Sequence, residues 1–165
     1  MRKNDSSKSK ADIGTYEIAL QRAAGLCSRQ EQCTSHIMEK LRSWNVNEED
    51  EEKIILKLTE EKFLDDARFA GFYVKDKFKF NGWGRIRITH MLRQKRVEEE
   101  FIKNALLQID EEEWYQTCLG LIRSKFSKLK EEDPYKRKGS LLRFAAGRGF
   151  EPALIYRALE DLERK

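Results

Sequence analysis

Apolar residues in this chain recur three and four positions apart, the period of an amphipathic helix, and no segment shows convincing strand alternation. Ile18, Leu20, Ala23 and Ala24 follow Tyr16 at that spacing and predict a helix ending near Gly25 to Cys27. Ser28, with Glu31 three positions on, has the pattern of a capping box that opens a second helix. That helix turns Ile37, Met38 and Leu41 inward and stops near Asn45; a third starts within Glu48 to Glu52 and uses Ile54, Ile55 and Leu58. Asp65 or Asp66 caps a fourth, with Phe69, Phe72, Tyr73 and Phe78 on its apolar side. Gly82 and Gly84 break the pattern before a helix from Arg85 that buries Ile88, Met91 and Leu92. A helix from Glu98 carries Phe101, Ile102, Ala105 and Leu106, and a long one from about Glu111 carries Trp114, Cys118, Leu121, Ile122, Phe126 and Leu129. Pro134 ends that helix, and two more run from Lys136 to Gly147 and from Pro152 to Leu162.

The pattern repeats. Ile37, Leu41 and Val46 are spaced four and then five apart, as are Ile88, Leu92 and Val97, and Leu141, Ala145 and Phe150. An apolar pair four apart follows each: Ile54 and Leu58, Ile102 and Leu106, Ile155 and Leu159. Asn45, Arg96 and Gly149 stand just before the last apolar residue of each triplet; Asn and Gly tolerate the left-handed conformation that ends a helix, and Arg does so less well. The predicted fold is all-α, with three tandem three-helix repeats that lean on one another to form an elongated curved rod. The expected divisions are a disordered tail over 1–13 and repeats over 14–64, 65–110 and 111–165.

Composition narrows the class. Hydrophobic residues are 39% of the chain and charged residues 38%, which describes a soluble protein with narrow buried stripes. No apolar run approaches the ~20 residues of a membrane span, and the N-terminus has no apolar signal core. Three cysteines without a CxxC suit a reducing, cytoplasmic setting, and Cys27, Cys33 and His36 lack a fourth metal ligand. The catalytic and phosphate-cradling motifs GxxxxGK[ST], HExxH and GxSxG are absent, so neither an enzyme nor a cofactor is expected. His36 and His90 are isolated.

Charge changes the picture more. Residues 67–97 hold nine bases against one acid, for a net +8, and residues 123–148 hold nine against three, for +6. The intervening blocks are acidic: 47–66 is net −6 and 98–113 is net −6. Acids at helix starts and bases at helix ends explain part of this, but not Lys75, Lys77 and Lys79. At about 100° per residue, Arg85, Thr89, Arg93 and Arg96 share one face of their helix, away from Ile88, Met91 and Leu92. Such a stripe suits phosphates or carboxylates. The candidate contacts for a nucleic acid or an acidic protein surface are Arg68, Lys75, Lys79, Arg85, Arg87, Arg93, Lys95 and Arg96, with Lys136, Arg137, Lys138, Arg143 and Arg148 in the third repeat. A solvated face without a partner is the plain alternative.

The segment Phe63-Leu64-Asp65-Asp66-Ala67-Arg68-Phe69-Ala70, with Val74, Gly82-Trp83-Gly84, Ile86, Leu92, Lys95 and Val97, resembles the RecX family, the regulators of the bacterial recombinase RecA. Cys27-Ser28-Arg29 with Leu41 is similar to the family's first repeat, and Leu141 to Phe144 with Arg148-Gly149-Phe150 to its last. The chain departs from the family at Arg96, where glycine is usual, and at Arg85, where proline is frequent. The resemblance implies a non-catalytic, cytoplasmic, monomeric protein that binds the groove of a RecA filament on DNA and inhibits its extension, ATP hydrolysis and strand exchange. DNA would be touched directly or through the filament. A stand-alone helical nucleic-acid binder is the alternative, and a structural adaptor the third reading.

Overall fold

The computed structural model describes residues 9–164, with side chains from Tyr16 onward. Among the described residues there are nine helices and no strand. They are α1 (Ser9–Arg29), α2 (Thr34–Ser43), α3 (Glu48–Glu60), α4 (Asp66–Asn81), α5 (Arg85–Gln94), α6 (Glu99–Leu106), α7 (Glu111–Lys128), α8 (Pro134–Gly147) and α9 (Pro152–Glu163). Of the expected tail, residues 1–8 lie outside the described residues, and residues 9–13 belong to α1.

Short polar side chains begin four of these helices by taking up orphan backbone N–H groups. Asn47 accepts from the Asp50 N–H, Asp65 from Arg68, Asp110 from Glu113 and Asp133 from Lys136, each at 2.8–2.9 Å. Two starts differ from expectation. Ser28 is not a cap: α1 runs on to Arg29, and the Ser28 hydroxyl donates to the Ala24 carbonyl inside it. α8 starts two residues before Lys136, because Asp133 caps it and Pro134 fits its first turn.

The chain divides into two compact units, one ending at Phe69 and the other beginning at Ala70. In the first, Ala19 and Ala23 of α1, Ile37 and Leu41 of α2 and Ile54 and Leu58 of α3 close on one core with Val46 and Leu64. In the second, Val74 and Phe78 of α4, Ile88 and Leu92 of α5, and Ile102 and Ala105 of α6 are buried. So are Trp114, Cys118 and Ile122 of α7, Leu141 and Ala145 of α8, and Ile155 and Leu159 of α9. The Phe78 and Trp114 rings meet edge to face with centroids 4.5 Å apart. Tyr73 and Phe101 are half-buried, and Phe72 and Phe126 are exposed rather than turned inward.

The four-then-five spacing has a backbone cause. Asn45, Arg96 and Gly149 all take a positive φ, at 58°, 56° and 90°. Each folds the chain back so that two N–H groups meet the last carbonyls of the helix. Val46 donates to Leu41 at 3.1 Å and Asn45 to Arg42 at 3.0 Å. The same pair recurs from Val97 to Leu92 and Arg96 to Arg93, and from Phe150 to Ala145 and Gly149 to Ala146. The apolar residue after the left-handed position therefore lands beside the one five before it, and both are buried in every copy.

Arg96 carries a Cβ in this conformation, which costs about 1–2 kcal/mol. Arg96→Gly is accordingly expected to stabilise the fold by about 1 kcal/mol in urea titration, the looser unfolded chain offsetting part of the relief. Gly149→Ala is expected to cost about 3 kcal/mol, because the new Cβ would stand 2.4 Å from the Arg87 Cβ at a φ of +90°. Equal urea midpoints for the two variants would contradict the assigned geometry.

Candidate partner-binding surface

The thirteen cations expected as contacts fall into groups once their partners are known. Arg68, in the first unit, is an internal strut: its Nε donates to Glu31 at 2.7 Å and its Nη2 to the Lys62 carbonyl at 3.1 Å. Beside it Asp65 caps α4, while Asp66 accepts from the Thr34 N–H at 2.8 Å and so satisfies the start of α2. The acidic pair is thus two caps for two helices.

Arg85 is also consumed by the fold, which corrects its expected place on an open stripe. Its side chain is only 20% exposed and reaches Glu111 at 2.5 Å and Glu151 at 2.9 Å. Its guanidinium lies 4.7 Å from the Trp114 ring centroid. The second Glu151 oxygen is buried without a hydrogen-bond partner, so Arg85 carries the compensation for that carboxylate. A helical wheel places Arg85 outside its own helix. It does not show that residues 26 and 66 positions later come to cover it.

The turn before α5 is knit to the end of α8 within the second unit. The Gly84 N–H donates to the Arg148 carbonyl at 2.8 Å, and the Ile86 N–H to the Gly149 carbonyl at 2.9 Å. A Cβ on Gly84 would stand 2.3 Å from the Gly149 oxygen, so only glycine permits this approach. The Arg148 Nη1 returns to the Asn81 carbonyl at 2.6 Å. Trp83 lies under Arg87 at 4.1 Å, with Lys77 at 5.7 Å from the same ring. Arg148 is therefore structural, and Arg87 stacks on a ring while remaining exposed.

Arg93 and Glu99 form an exposed ion pair at 2.5 Å, whose hydrogen bond holds the guanidinium pKa up and the carboxyl pKa down. Lys95 lies over Tyr73, Arg137 over Phe126, and Lys138 reaches Glu163 at 3.2 Å. Of the expected contacts, Lys75, Lys79, Arg96, Lys136 and Arg143 are exposed with neither an ion pair nor an aromatic partner among the described residues. The open stripe of α5 thus reduces to Arg93, held by Glu99, and Arg96 beyond its end.

Aromatic residues were the part missed. Phe72 and Phe80 are 58% and 83% exposed on α4. At about 100° per residue they share one side of that helix with Lys75 and Lys79. The signal was in the sequence: each stands two positions after a buried residue, Ala70 and Phe78, and so on the far side of the helix. Burial and the Glu151 charge push the Cys118 thiol up to about 12, and burial with Glu31 pushes Cys27 up to about 11. Among the described residues no cluster of histidine, cysteine or acidic side chains could hold a metal. No described helix is long and apolar enough to cross a membrane.

This is an all-helical protein built from three-helix repeats, with exposed cations and aromatic side chains and with Gly84 and Gly149 joined at the turns that follow α4 and α8. Residues 65–106 match the model of the RecX second three-helix domain, and residues 111–159 that of the RecX third three-helix domain. A regulatory protein RecX of Clostridium botulinum (strain Alaska E43) is 34% identical over 150 residues, spanning 88% of this chain and 70% of the relative. One of Chlorobium phaeobacteroides is 30% identical over 93% of this chain and 96% of the relative. Against a third, from C. botulinum (strain Eklund 17B), the chain spans 54% of the relative's length. The fold is similar to the crystal structure of RecX from Lactobacillus salivarius, with a TM-score of 0.85 at 18% identity over 93% of this chain and 99% of that one. The chain belongs to the RecX family.

Two outcomes follow from the pairing. Arg85→Glu is expected to lower stability by about 2–3 kcal/mol, since it strands the partly buried Glu151 carboxylate and sets a second carboxylate beside it. Arg93→Glu, at a solvent-screened pair, should shift the urea midpoint little. Similar losses for both would show that Arg85 is not a strut. Because thiolate is the reactive form, the raised thiol pKa values of Cys27 and Cys118 predict slow labelling of the native chain by a disulfide reagent at neutral pH, and fast labelling in urea. Fast native labelling of Cys118 would contradict its burial.

Proposed function

We propose that this chain regulates a RecA recombinase by binding its filament on DNA and limiting filament extension, ATP hydrolysis and strand exchange, without catalysis of its own. It would do so as a cytoplasmic monomer. The observation that carries the reading is the match of residues 65–106 and 111–159 to two RecX three-helix domains. Those spans support a boundary between the repeats expected over 65–110 and 111–165, and the repeat over 14–64 is proposed with them. The contact is assigned to the cations the fold leaves unspent on α4 and at the end of α5: Lys75 and Lys79, on one side of α4 with the exposed Phe72 and Phe80, and Arg96. An acidic protein surface with an apolar centre is the complement of such a face. Arg68, Arg85 and Arg148 are withdrawn from the contact, because each already holds an internal carboxylate or carbonyl.

The test is ATP hydrolysis by the cognate recombinase on single-stranded DNA. The triple change Lys75→Glu, Lys79→Glu, Arg96→Glu should leave the helical circular-dichroism spectrum intact and raise the concentration for half-inhibition at least tenfold. Each lost charge-assisted contact is worth about 1.5–3 kcal/mol. Reversals at Lys3, Lys8 and Lys10 serve as the control and should change inhibition little. Equal inhibition by both triple variants and the parent would remove the contact from this face. A parent chain that leaves hydrolysis untouched would remove the reading.

A further inference from the structure

The third repeat holds two aromatic side chains that the core does not use. Tyr135, just inside the first turn of α8, is 87% exposed, and Tyr156 on α9 is 51% exposed. Their separation in the chain hides that both line one groove of about 700 Å3. Lys136, Lys138 and Arg143 line it as well, against one acid, Glu131. Lys138 is drawn toward Glu163, which leaves Lys136 and Arg143 unneutralised. At Gly139 the groove wall has no side chain: only the Arg143 Nη1, at 3.4 Å, lies within contact of where a Cβ would be. Exposed ring faces beside unpaired cations, with bare backbone between, meet the two chemical halves of a nucleotide.

We propose that this groove binds single-stranded nucleic acid, the Tyr135 and Tyr156 rings stacking on bases while Lys136 and Arg143 hold the intervening phosphates. A duplex offers the same phosphates but keeps its base faces stacked on one another, so it can use the cations and not the rings. An acidic peptide likewise satisfies the cations and leaves both tyrosines without a role. The groove is separate from the α4 face assigned to the recombinase, and the proposal stands on its own residues.

The experiment is fluorescence anisotropy of a labelled oligo-dT with the full chain at low salt and without recombinase. The parent should bind. Tyr135→Ala with Tyr156→Ala should weaken oligo-dT about tenfold, the usual effect of losing base stacking. It should leave affinity for a duplex of the same length unchanged. Tyr135→Phe with Tyr156→Phe keeps both rings and should bind as the parent does. Lys136→Glu with Arg143→Glu should weaken both nucleic acids and flatten the salt dependence. Oligo-dT affinity equal in the parent and the alanine pair, with both chains helical, would overturn the proposal. So would a parent that does not bind oligo-dT, or a poly-glutamate peptide that binds the parent more tightly than oligo-dT does. With no recombinase in the assay, failure here leaves the filament reading standing, and failure of the ATPase test leaves the groove standing.

Discussion

The left-handed residue that closes α2, α5 and α8 is the constraint from which the rest follows. An ordinary helix end leaves carbonyls unsatisfied and the next residue's direction free. Here a positive φ at Asn45, Arg96 and Gly149 ties back two N–H groups and delivers an apolar side chain to the core. The following helix then starts from a fixed point in each repeat. Side chains differ among the copies, but the backbone event is the same. That is why a residue with a side chain as long as Arg96 can hold the turn that Gly149 holds in the third copy, at the cost of local strain.

Much of this was legible because it is local. Apolar spacing located every helix, and the four-then-five interval registered the helix end before its hydrogen bonds were known. Misreadings arose where two local signals competed or where a distant residue intervened. Ser28 and Glu31 have the form of a cap, but α1 continues through Ser28, whose hydroxyl bonds back to the Ala24 carbonyl, and the helix runs to Arg29. Phe72 stands next to Tyr73 among the aromatic residues of α4 and so reads as part of its apolar side, but its position opposite Ala70 turns it to solvent. Arg85 was beyond reach: Glu111 and Glu151 are distant in the chain, and only folding brings them to one guanidinium.

The basic character of the chain is less uniform than its composition. A good part of the positive charge between Arg68 and Arg148 is internal wiring, spent on carboxylates, carbonyls and rings. What is left for a partner is sparse and placed next to exposed aromatic side chains. Unneutralised charge and uncovered apolar area thus occur together on α4. Burial in a core explains neither.

The seam between Gly84 and Gly149 also bears on how the chain acquires its structure. Its hydrogen bonds join residues more than sixty positions apart, whereas the helices themselves close within a few residues. Contacts of such long range are reached late, after the entropy of a large loop has been overcome. The first unit closes within its own residues and has no such delay. During synthesis, α4 and α5 must wait with their glycine notch empty until Gly149 has left the ribosome. The second unit therefore becomes a single cooperative body only once residues 148 and 149 have reached the turn at Gly84.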